Sequence, residues 1–585
     1  MPLVPRAGSR GRHISVLPAL AVVSALACTP APEPLANSSD AAGKFLSAWD
    51  AGDVGTMRRS FDDTSKKRWT PAGLRRFLDG ARDSGDVSAW DVEPAGDVAQ
   101  PDPEEADGPG PISTSAPYAI TYTSAALDAP VRLEGSLEMT YRRGSDMWEV
   151  GWDKGMLWPG IPGASAFSTS YRLPKRAPIL DRSGRRLATG AGRGRRYPYG
   201  ALAGATIGHL APAPATDSGD AIRRAGGLTG DSGLEGVFES SLRGTPASVL
   251  AVTDAKNRRL EVLGKVRGAP GRPVKTTLDV KAQRAAEGAY GGTTGGAVVV
   301  EPSTGDLLAV VSSSPIDPND YVGASDAEPF NRALSGLYPP GSAMKVVTAS
   351  AALDTDVVTP RTKVTGPGEY KGVRNFESGV FGTIPFSKAV QFSVNTAFAQ
   401  VAEDLGAKPL TGYARRFGFN RPPPPAVAAA TSSFPYPEDL YSLMWGSIGQ
   451  AQVLATPLEM ATVAATVANN GVRMEPRIAL GDAPEGKRVV SRGTARIMTK
   501  LMTSVVEGGT GVGAQISGVQ VAGKTGTAEV DVDGVRMNHA WFICFAPAGA
   551  PKVAVAVVSE LGGVGGEVAA PLARDILQSV LPLVR

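Results

Sequence analysis

Histidine and cysteine are nearly absent from this chain, which restricts the chemistry that it can perform. Its 585 residues include three histidines (His13, His209 and His539) and two cysteines (Cys28 and Cys544). Two cysteines exclude a disulfide framework and a cysteine-rich metal site. Nor do histidines, cysteines and carboxylates occur at the clustered spacings of a metal centre. We therefore expect neither a metal nor another cofactor.

The charge balance also excludes some partners. Lys and Arg number 60 against 57 for Asp and Glu, a formal net charge of +3. A balance this even predicts neither a nucleic-acid footprint nor a strongly acidic partner. The length exceeds what one hydrophobic core accommodates, so the chain should be multidomain, with about three or four domains.

The first 37 residues are predicted to be a targeting segment and tether. Residues 14–28 form an apolar run that is short for a membrane-spanning helix and typical of a signal h-region. The run ends in "SALAC", which resembles a bacterial lipoprotein cleavage site at Cys28, although Ala25 stands where Leu is usual. An uncleaved anchor and simple secretion are the alternatives. All three place the bulk of the chain outside the cytoplasm.

Residues 38–160 are predicted to form a small α+β domain. Phe45, Leu46 and Trp49 share a helix face, and "PAGLRRFLDGAR" continues as a second helix. A period of two then follows over residues 131–141 and 148–152, which indicates half-buried strands. Helices before a curved sheet resemble a cone-shaped, nuclear-transport-factor-two-like domain, for which we expect a spacer or docking role.

Two further regions complete the chain. Residues 165–273 contain mixed short elements, with a hairpin turn predicted at Asp181 and Gly184. Residues 274–585 are predicted to be one α/β unit. It opens with a strand, a helix capped by Asp279, and the apolar stretch "GGAVVVEPSTGDLLAVVSSSP".

A short stretch, "YPPGSAMKVVTAS", carries the first chemical signal. Pro339, Pro340 and Gly341 disfavour a helix that the following residues favour, so Ser342 should lie at a helix N-terminus. Lys345 is three residues on, on the same face, within reach of the hydroxyl. The positive end of the helix dipole disfavours a cation, which helps Lys345 lose a proton and act as base for Ser342. Alone, this S-x-x-K pattern is weak evidence, and a helix cap beside a solvated lysine is the interpretation that it favours.

Two later motifs decide between these interpretations. "FSVNTAF" contains an S-x-N pattern at Ser393 and Asn395, and "VAGKTGTAEV" contains K-T-G at residues 524–526. In this order, S-x-x-K, S-x-N and K-T-G form the motif set of penicillin-binding proteins and serine β-lactamases. The regions before them resemble class B penicillin-binding proteins, including the N-terminal extension of some resistance-type members. The resemblance implies a dimerisation or pedestal domain at 165–273 and a β-lactamase-like α/β transpeptidase domain at 274–585.

The resemblance implies a role for each motif. Ser342 would attack the carbonyl of a D-Ala-D-Ala stem peptide while Lys345 takes its proton. Ser393 and Lys524 would relay a proton to the departing D-Ala, and Asn395 would orient the substrate.

The substrate's carboxylate and the reaction's oxyanion have their own implied partners. The hydroxyls of Thr525 and Thr527, on either side of Gly526, would hold the terminal carboxylate. The backbone N–H groups of Ser342 and Thr527 would form the oxyanion hole. β-Lactams would acylate the same serine.

The resemblance also implies partners and a location. A class B member is a monofunctional D,D-transpeptidase that works with a separate membrane glycan polymerase. It lies at the extracytoplasmic face of the bacterial membrane, anchored at its N-terminus. The alternatives are a β-lactamase, or a β-lactam-binding sensor or scaffold with little turnover. A Ser-His-Asp hydrolase is disfavoured because His539 is expected to be structural and the other two histidines lie outside the C-terminal domain.

Overall fold

The computed structural model describes residues 35–101, 110–213, 227–313, 315–323 and 330–584. The apolar run at 14–28 and the predicted lipid anchor Cys28 lie outside these residues. None of the helices within the described ranges combines the length and apolar character needed to cross a membrane. The chain divides into two units. The first comprises Met1–Phe77, Asp91–Thr121 and Arg132–Gly160, and the second comprises Leu78–Trp90, Tyr122–Val131 and Ile161–Arg585.

Helices come first and a sheet follows in the N-terminal region, as the sequence predicts. The elements are α1 (Ser38–Asp50), α2 (Val54–Arg59), α3 (Asp63–Arg68), α4 (Pro71–Gly85), β1 (Val87–Pro94), β2 (Ile112–Ser124), β3 (Val131–Arg142) and β4 (Met147–Val150). The strands pair in the order β1-β2-β3-β4. Along β3, Leu137, Met139 and Tyr141 are buried and the residues between them are exposed, which confirms the predicted period of two.

Aromatic side chains hold the core of the first unit together. Trp49 of α1 meets Trp152 edge-on, with ring centroids 4.8 Å apart, and Phe61 stacks on Trp152 at 5.8 Å. Phe45 contacts all three rings. Such pairs add about 0.5–1.5 kcal/mol each beyond the apolar area that they bury. The helix face predicted from the spacing of Phe45 and Trp49 is therefore confirmed as the buried one.

The region after residue 160 consists of short strands and helices. They are β5 (Ala166–Arg172), β6 (Ile179–Leu180), β7 (Arg186–Ala188), α5 (Gly204–Ile207), β8 (Leu210–Pro212), β9 (Leu228–Gly230), α6 (Gly233–Val237), α7 (Glu239–Arg243), β10 (Ala247–Thr253), β11 (Arg259–Val266) and β12 (Val274–Lys275). Asp181 Oδ1 accepts the N–H groups of Ser183 and Arg185, which confirms the hairpin turn between β6 and β7.

A buried ionic cluster links several of these short elements. Glu235 of α6 is fully buried and accepts hydrogen bonds from Arg176 at 2.7 Å and Arg195 at 2.6 Å. Arg176 also pairs with Glu239 of α7 at 2.6 Å. Removing one partner would leave a buried charge uncompensated, which typically costs about 3–5 kcal/mol. The cluster therefore ties the segment between β5 and β6, which carries Arg176, to α6 and α7.

A five-stranded sheet forms the centre of the C-terminal part. Its order is β14-β13-β23-β22-β21. The strands are β13 (Gly295–Glu301), β14 (Asp306–Ser312), β21 (Ala522–Val532), β22 (Val535–Ala546) and β23 (Val553–Ser559). All seven residues of β23 are buried, since helices cover both faces of the sheet. The strand β21, which carries K-T-G, lies at the edge of the sheet.

Helices pack on both faces of this sheet. The helices of this part are α8 (Val280–Tyr290), α9 (Arg332–Ser335), α10 (Lys345–Asp354), α11 (Phe386–Gln391), α12 (Asn395–Leu405), α13 (Ala407–Phe417), α14 (Leu440–Ser447), α15 (Pro457–Ala468), α16 (Arg492–Gly508) and α17 (Ala569–Val580). Of these, α8, α9, α15, α16 and α17 contact strands of the sheet. On one face α17 contacts β22 and β23 while α8 contacts β13 and β14, and on the other face α15 contacts β13, β22 and β23. Asp279 caps α8 by accepting the N–H groups of Lys281 and Ala282, as predicted.

Short paired strands complete the C-terminal part. They are β15 (Lys363–Gly366), β16 (Glu369–Tyr370), β17 (Val373–Arg374), β18 (Gly382–Pro385), β19 (Val472–Met474) and β20 (Gly486–Arg488). The pairs are β15 with β18, β16 with β17, and β19 with β20. The β16–β17 hairpin borders the S-x-N segment, because Asn395 donates to the carbonyl of Arg374.

Candidate active site

The Pro-Pro-Gly turn fixes the entry to the helix that carries the first motif. Gly341 has φ +51°, and its N–H donates to the carbonyl of Gly449 at 2.9 Å. The Trp541 indole on β22 donates to the carbonyl of Pro339 at 2.9 Å. Residues 341–344 form a 3₁₀ turn that leads directly into α10. Ser342 therefore lies in this turn, one residue past a left-handed glycine and half-buried at the end of the helix.

Lys345 is the first residue of α10, and its side chain is almost completely buried, with 1% exposed. Its Nζ donates to the Ser393 carbonyl at 2.8 Å, to Ser393 Oγ at 3.2 Å and to Asn395 Oδ1 at 2.5 Å. Among the described residues, no hydrogen bond joins Lys345 to Ser342. The amine thus connects the S-x-x-K turn to the S-x-N segment, a long-range contact that the spacing of three does not predict.

The S-x-N segment is a tight turn between α11 and α12. Ser393 adopts φ +56°, and the Val394 N–H returns to the carbonyl of Ala389 at 2.9 Å. Left-handed φ is uncommon for a residue with a Cβ and is often found at functional turns. This conformation places Ser393 Oγ within hydrogen-bond distance of both Lys345 and Lys524. Asn395 is the first residue of α12, and its side-chain Nδ2 donates to the Arg374 carbonyl at 2.8 Å.

The third motif lies on β21 and packs directly against the Ser342 turn. Lys524 is 1% exposed, and its Nζ donates to Ser393 Oγ at 2.8 Å and to the Thr525 carbonyl at 2.9 Å. A Cβ at Gly526 would stand 2.6 Å from the carbonyl oxygen of Pro340 and 2.9 Å from the Trp541 Cβ. Only glycine lets the strand approach the Ser342 turn this closely.

The two threonines of the third motif differ in their surroundings. Thr527 is half-buried, and its Oγ1 accepts the N–H of Gly565 at 3.2 Å. Thr525 is buried, and its Oγ1 lies 2.7 Å from the Oγ1 of Thr510. Thr510 was missed by the sequence analysis. Its one local signal is the glycine-rich turn "GGTG", which does not indicate a strand partner fifteen residues away.

Burial sets the electrostatics of the site. The pKa of Lys345 is lowered well below its usual value by burial and, secondarily, by the nearby Lys524 charge. Burial lowers the pKa of Lys524 to about 7. Among the described residues no carboxylate forms a salt bridge with either amine. Lys524 therefore has access to the neutral form near neutral pH, and Lys345 loses its proton more readily than a solvated lysine, as a proton acceptor requires.

The remaining candidates lie elsewhere. His539 lies within β22, and its Nδ1 accepts the N–H of Leu561. His209 lies far along the chain from all three motifs, and its Nδ1 hydrogen-bonds Ser232 at 2.9 Å. Cys544 is a buried free cysteine on β22. In the described ranges no group of three or more His, Cys, Asp or Glu residues is arranged to hold a metal ion.

Comparison with known families agrees with this arrangement. The penicillin-binding protein transpeptidase domain matches residues 295–578, and the penicillin-binding protein dimerisation domain matches residues 188–276. Together they include all three motifs and most of the second unit. The chain belongs to the class B penicillin-binding proteins.

Particular relatives share this organisation. Peptidoglycan D,D-transpeptidase PbpA of Mycobacterium tuberculosis is 37% identical over 371 residues, which cover 55% of this chain and 75% of the relative. Peptidoglycan D,D-transpeptidase MrdA of Acinetobacter baumannii is 31% identical over 440 residues, 65% of each chain. The penicillin G acyl-enzyme structure of M. tuberculosis penicillin-binding protein A superposes with a TM-score of 0.56 at 31% identity, covering 70% of this chain and 100% of that one.

Proposed function

We propose that the chain is a peptidoglycan D,D-transpeptidase that cross-links stem peptides through an acyl-enzyme on Ser342. The observation that carries this conclusion is the meeting of three motifs at Ser393. Its Oγ accepts from Lys345 at 3.2 Å and from Lys524 at 2.8 Å. Residues separated by 48 and 131 positions are thus joined around one hydroxyl.

In the acylation step Lys345 accepts the Ser342 proton, and Ser342 Oγ forms an ester with the penultimate D-Ala carbonyl. The bond to the terminal D-Ala breaks, and that amine takes a proton through Ser393, which Lys345 and Lys524 both contact. An amine of a second stem peptide then attacks the ester. The new amide forms, and Ser342 recovers a proton.

The binding roles rest on the edge position of β21. Thr525 and Thr527 would donate hydroxyl hydrogens to the terminal carboxylate, with the Lys524 charge assisting when it is protonated. The Ser342 N–H has no hydrogen-bond partner among the described residues, so it remains available to an oxyanion, together with that of Thr527. One such donor is worth about 3–4 kcal/mol of transition-state stabilisation.

β-Lactams would occupy the same site and acylate Ser342. Rapid hydrolysis of that ester, as in a β-lactamase, needs a base that activates water. None of the carboxylates in the described residues hydrogen-bonds Ser342, Lys345, Ser393, Asn395 or Lys524. We therefore expect the penicillin adduct to persist, which favours wall synthesis over antibiotic hydrolysis.

Turnover of a donor peptide tests the function. The full-length protein, given an acylated D-Ala-D-Ala peptide and an amine acceptor, should release D-Ala and form a new amide, measured by mass spectrometry. A stable penicillin adduct without any turnover of the donor would instead indicate a sensor. Destruction of penicillin without an adduct would indicate a β-lactamase, and either result would contradict the proposal.

The limits of the domains and the roles given above to the site residues are proposed together with this function. We propose a nuclear-transport-factor-two-like domain at 38–160, a dimerisation domain at 165–273 and a transpeptidase domain at 274–585. The matches at 188–276 and 295–578 support the last two. The order of helices before a sheet supports the first.

We also propose that lipidation of Cys28 holds the chain at the extracytoplasmic face of the membrane, where it contacts a glycan polymerase. The support is the small-residue sequence "SALAC" after an apolar run. Cys28→Ser should move the protein from the membrane fraction to the soluble one, and should lower recovery of the polymerase after cross-linking in cells. Unchanged membrane association in the variant would contradict lipid anchoring.

A further inference from the structure

One turn outside the three motifs contacts both α11, which leads into the S-x-N turn, and β21, which carries K-T-G. Thr510 follows α16, and its N–H donates to the carbonyl of Gln391 at 3.3 Å. Gln391 ends α11, two residues before Ser393. On the other side, Thr510 Oγ1 lies 2.7 Å from Thr525 Oγ1 on β21. The backbone of Thr510 thus contacts α11, while its side-chain hydroxyl contacts β21.

We propose that Thr510 is a positioning residue that orients the Thr525 hydroxyl toward the donor's terminal carboxylate; the inference rests on the proposed function. A threonine hydroxyl has one hydrogen to donate and two acceptor positions. Thr525 Oγ1 accepts from Lys524 Nζ at 3.4 Å and lies within reach of the Thr510 hydrogen. When Thr510 donates, both acceptor positions are occupied, and the Thr525 hydrogen is directed to the substrate.

The surroundings of Thr510 favour its hydroxyl as the donor in the hydrogen bond to Thr525. Among the described residues its hydroxyl hydrogen-bonds only Thr525, so no other acceptor competes for its hydrogen. The backbone is tightly packed, because a Cβ at Gly566 would lie 2.4 Å from the Thr510 carbonyl oxygen. A fixed backbone and a single partner keep the hydroxyl oriented before substrate binds.

This orientation has a consequence for substrate choice. A carboxylate only accepts hydrogen bonds, whereas a C-terminal amide presents an NH₂ group as well. A Thr525 hydroxyl that must donate favours the carboxylate. Without Thr510, the Thr525 hydrogen can turn away and its oxygen can accept from an amide. Thr510 therefore sets the preference for a free carboxyl terminus.

The test compares two donors in the full-length protein: an acylated D-Ala-D-Ala peptide and its C-terminal amide. Thr510→Val keeps the shape and removes the hydroxyl. The ratio of kcat/KM for acid over amide should fall by about 2- to 10-fold, the worth of one hydrogen bond, mainly through KM of the acid. Thr510→Ser should retain the wild-type ratio.

Thr503→Val is the matched control, since the Thr503 hydroxyl bonds the Thr499 carbonyl within α16. It should leave the ratio unchanged. Equal losses for both donors in Thr510→Val, or an unchanged ratio, would overturn the positioning role. If Thr510→Val does not fold, Thr510→Ala gives the same comparison. A wild-type protein that turns over neither donor would instead refute the proposed function, and this inference with it.

Discussion

Ser342→Ala is expected to abolish the covalent penicillin adduct and all turnover of a D-Ala-D-Ala donor. The substitution removes the Oγ that forms the ester. The neighbouring Ser393 hydroxyl should not replace it, because Ser393 Oγ already accepts hydrogen bonds from Lys345 and Lys524. Intact-mass measurement after incubation with penicillin, followed by mapping of the modified peptide, provides the readout. The stability of the fold should be unaffected, since Ser342 forms no side-chain hydrogen bond within the described residues.

Ser350→Ala is a closely matched control for this substitution. Ser350 lies on α10, eight residues after Ser342, and its buried Oγ has no hydrogen-bond partner among the residues that the structure describes. The variant should be acylated at the wild-type rate. An adduct that persists in Ser342→Ala, or that maps to a different peptide, would exclude Ser342 as the nucleophile.

Local signals in the sequence are sufficient for much of the fold. The α1 face follows from the spacing of Phe45 and Trp49, and the start of α8 follows from the Asp279 cap. The hairpin at Asp181 follows from its turn residues. Each depends on contacts within a few positions. The short helices α2 and α3 and the strands β1 and β2 were missed, since their patterns are brief or their burial is mixed.

The sequence was sufficient to identify the chemistry of the site, but it did not predict the hydrogen bonds that join the three motifs. S-x-x-K suggested that Lys345 would meet Ser342, three residues away. In the structure Lys345 instead donates to Ser393 and Asn395, 48 and 50 positions on. A left-handed Ser393 makes this contact possible, and nothing in "FSVNTAF" indicates that conformation. Thr510 was overlooked for the same reason, since its role depends on strand β21 and α11 being adjacent.

Lys345 and Lys524 are buried with no carboxylate partner in the described part of the chain, and this imposes a cost on the fold. Lys345 and Lys524 bind protons less readily in the folded state than in the unfolded chain. Between the folded and unfolded pKa values the unfolded chain binds more protons, so the free energy of unfolding rises with pH in that window. For Lys524 the window extends from about 7 to 10.5. Such a cost is typical of residues retained for their chemistry.

Lys345→Arg is expected to lower the penicillin acylation rate by about 10²- to 10⁴-fold, because arginine keeps the charge but does not release its proton. The pH profile carries further information. In the wild type the acylation rate should rise with pH as Lys345 loses its proton. That rise should be complete well below pH 10.5, because burial and the Lys524 charge lower the Lys345 pKa. In Lys345→Arg this rise should disappear. Stopped-flow acylation across the pH range measures both effects.

Lys388→Arg separates the loss of a base from the general effect of a larger cation. Lys388 is an exposed lysine on α11, five residues before Ser393, and it hydrogen-bonds Gln391. Its replacement should leave the rate within about twofold of wild type, as expected for an exposed side chain. If Lys345→Arg retained the wild-type rate and pH profile, the proton of Ser342 would have to go elsewhere. Lys524, with a pKa of about 7 and a contact to Ser393, would then be the base to test next.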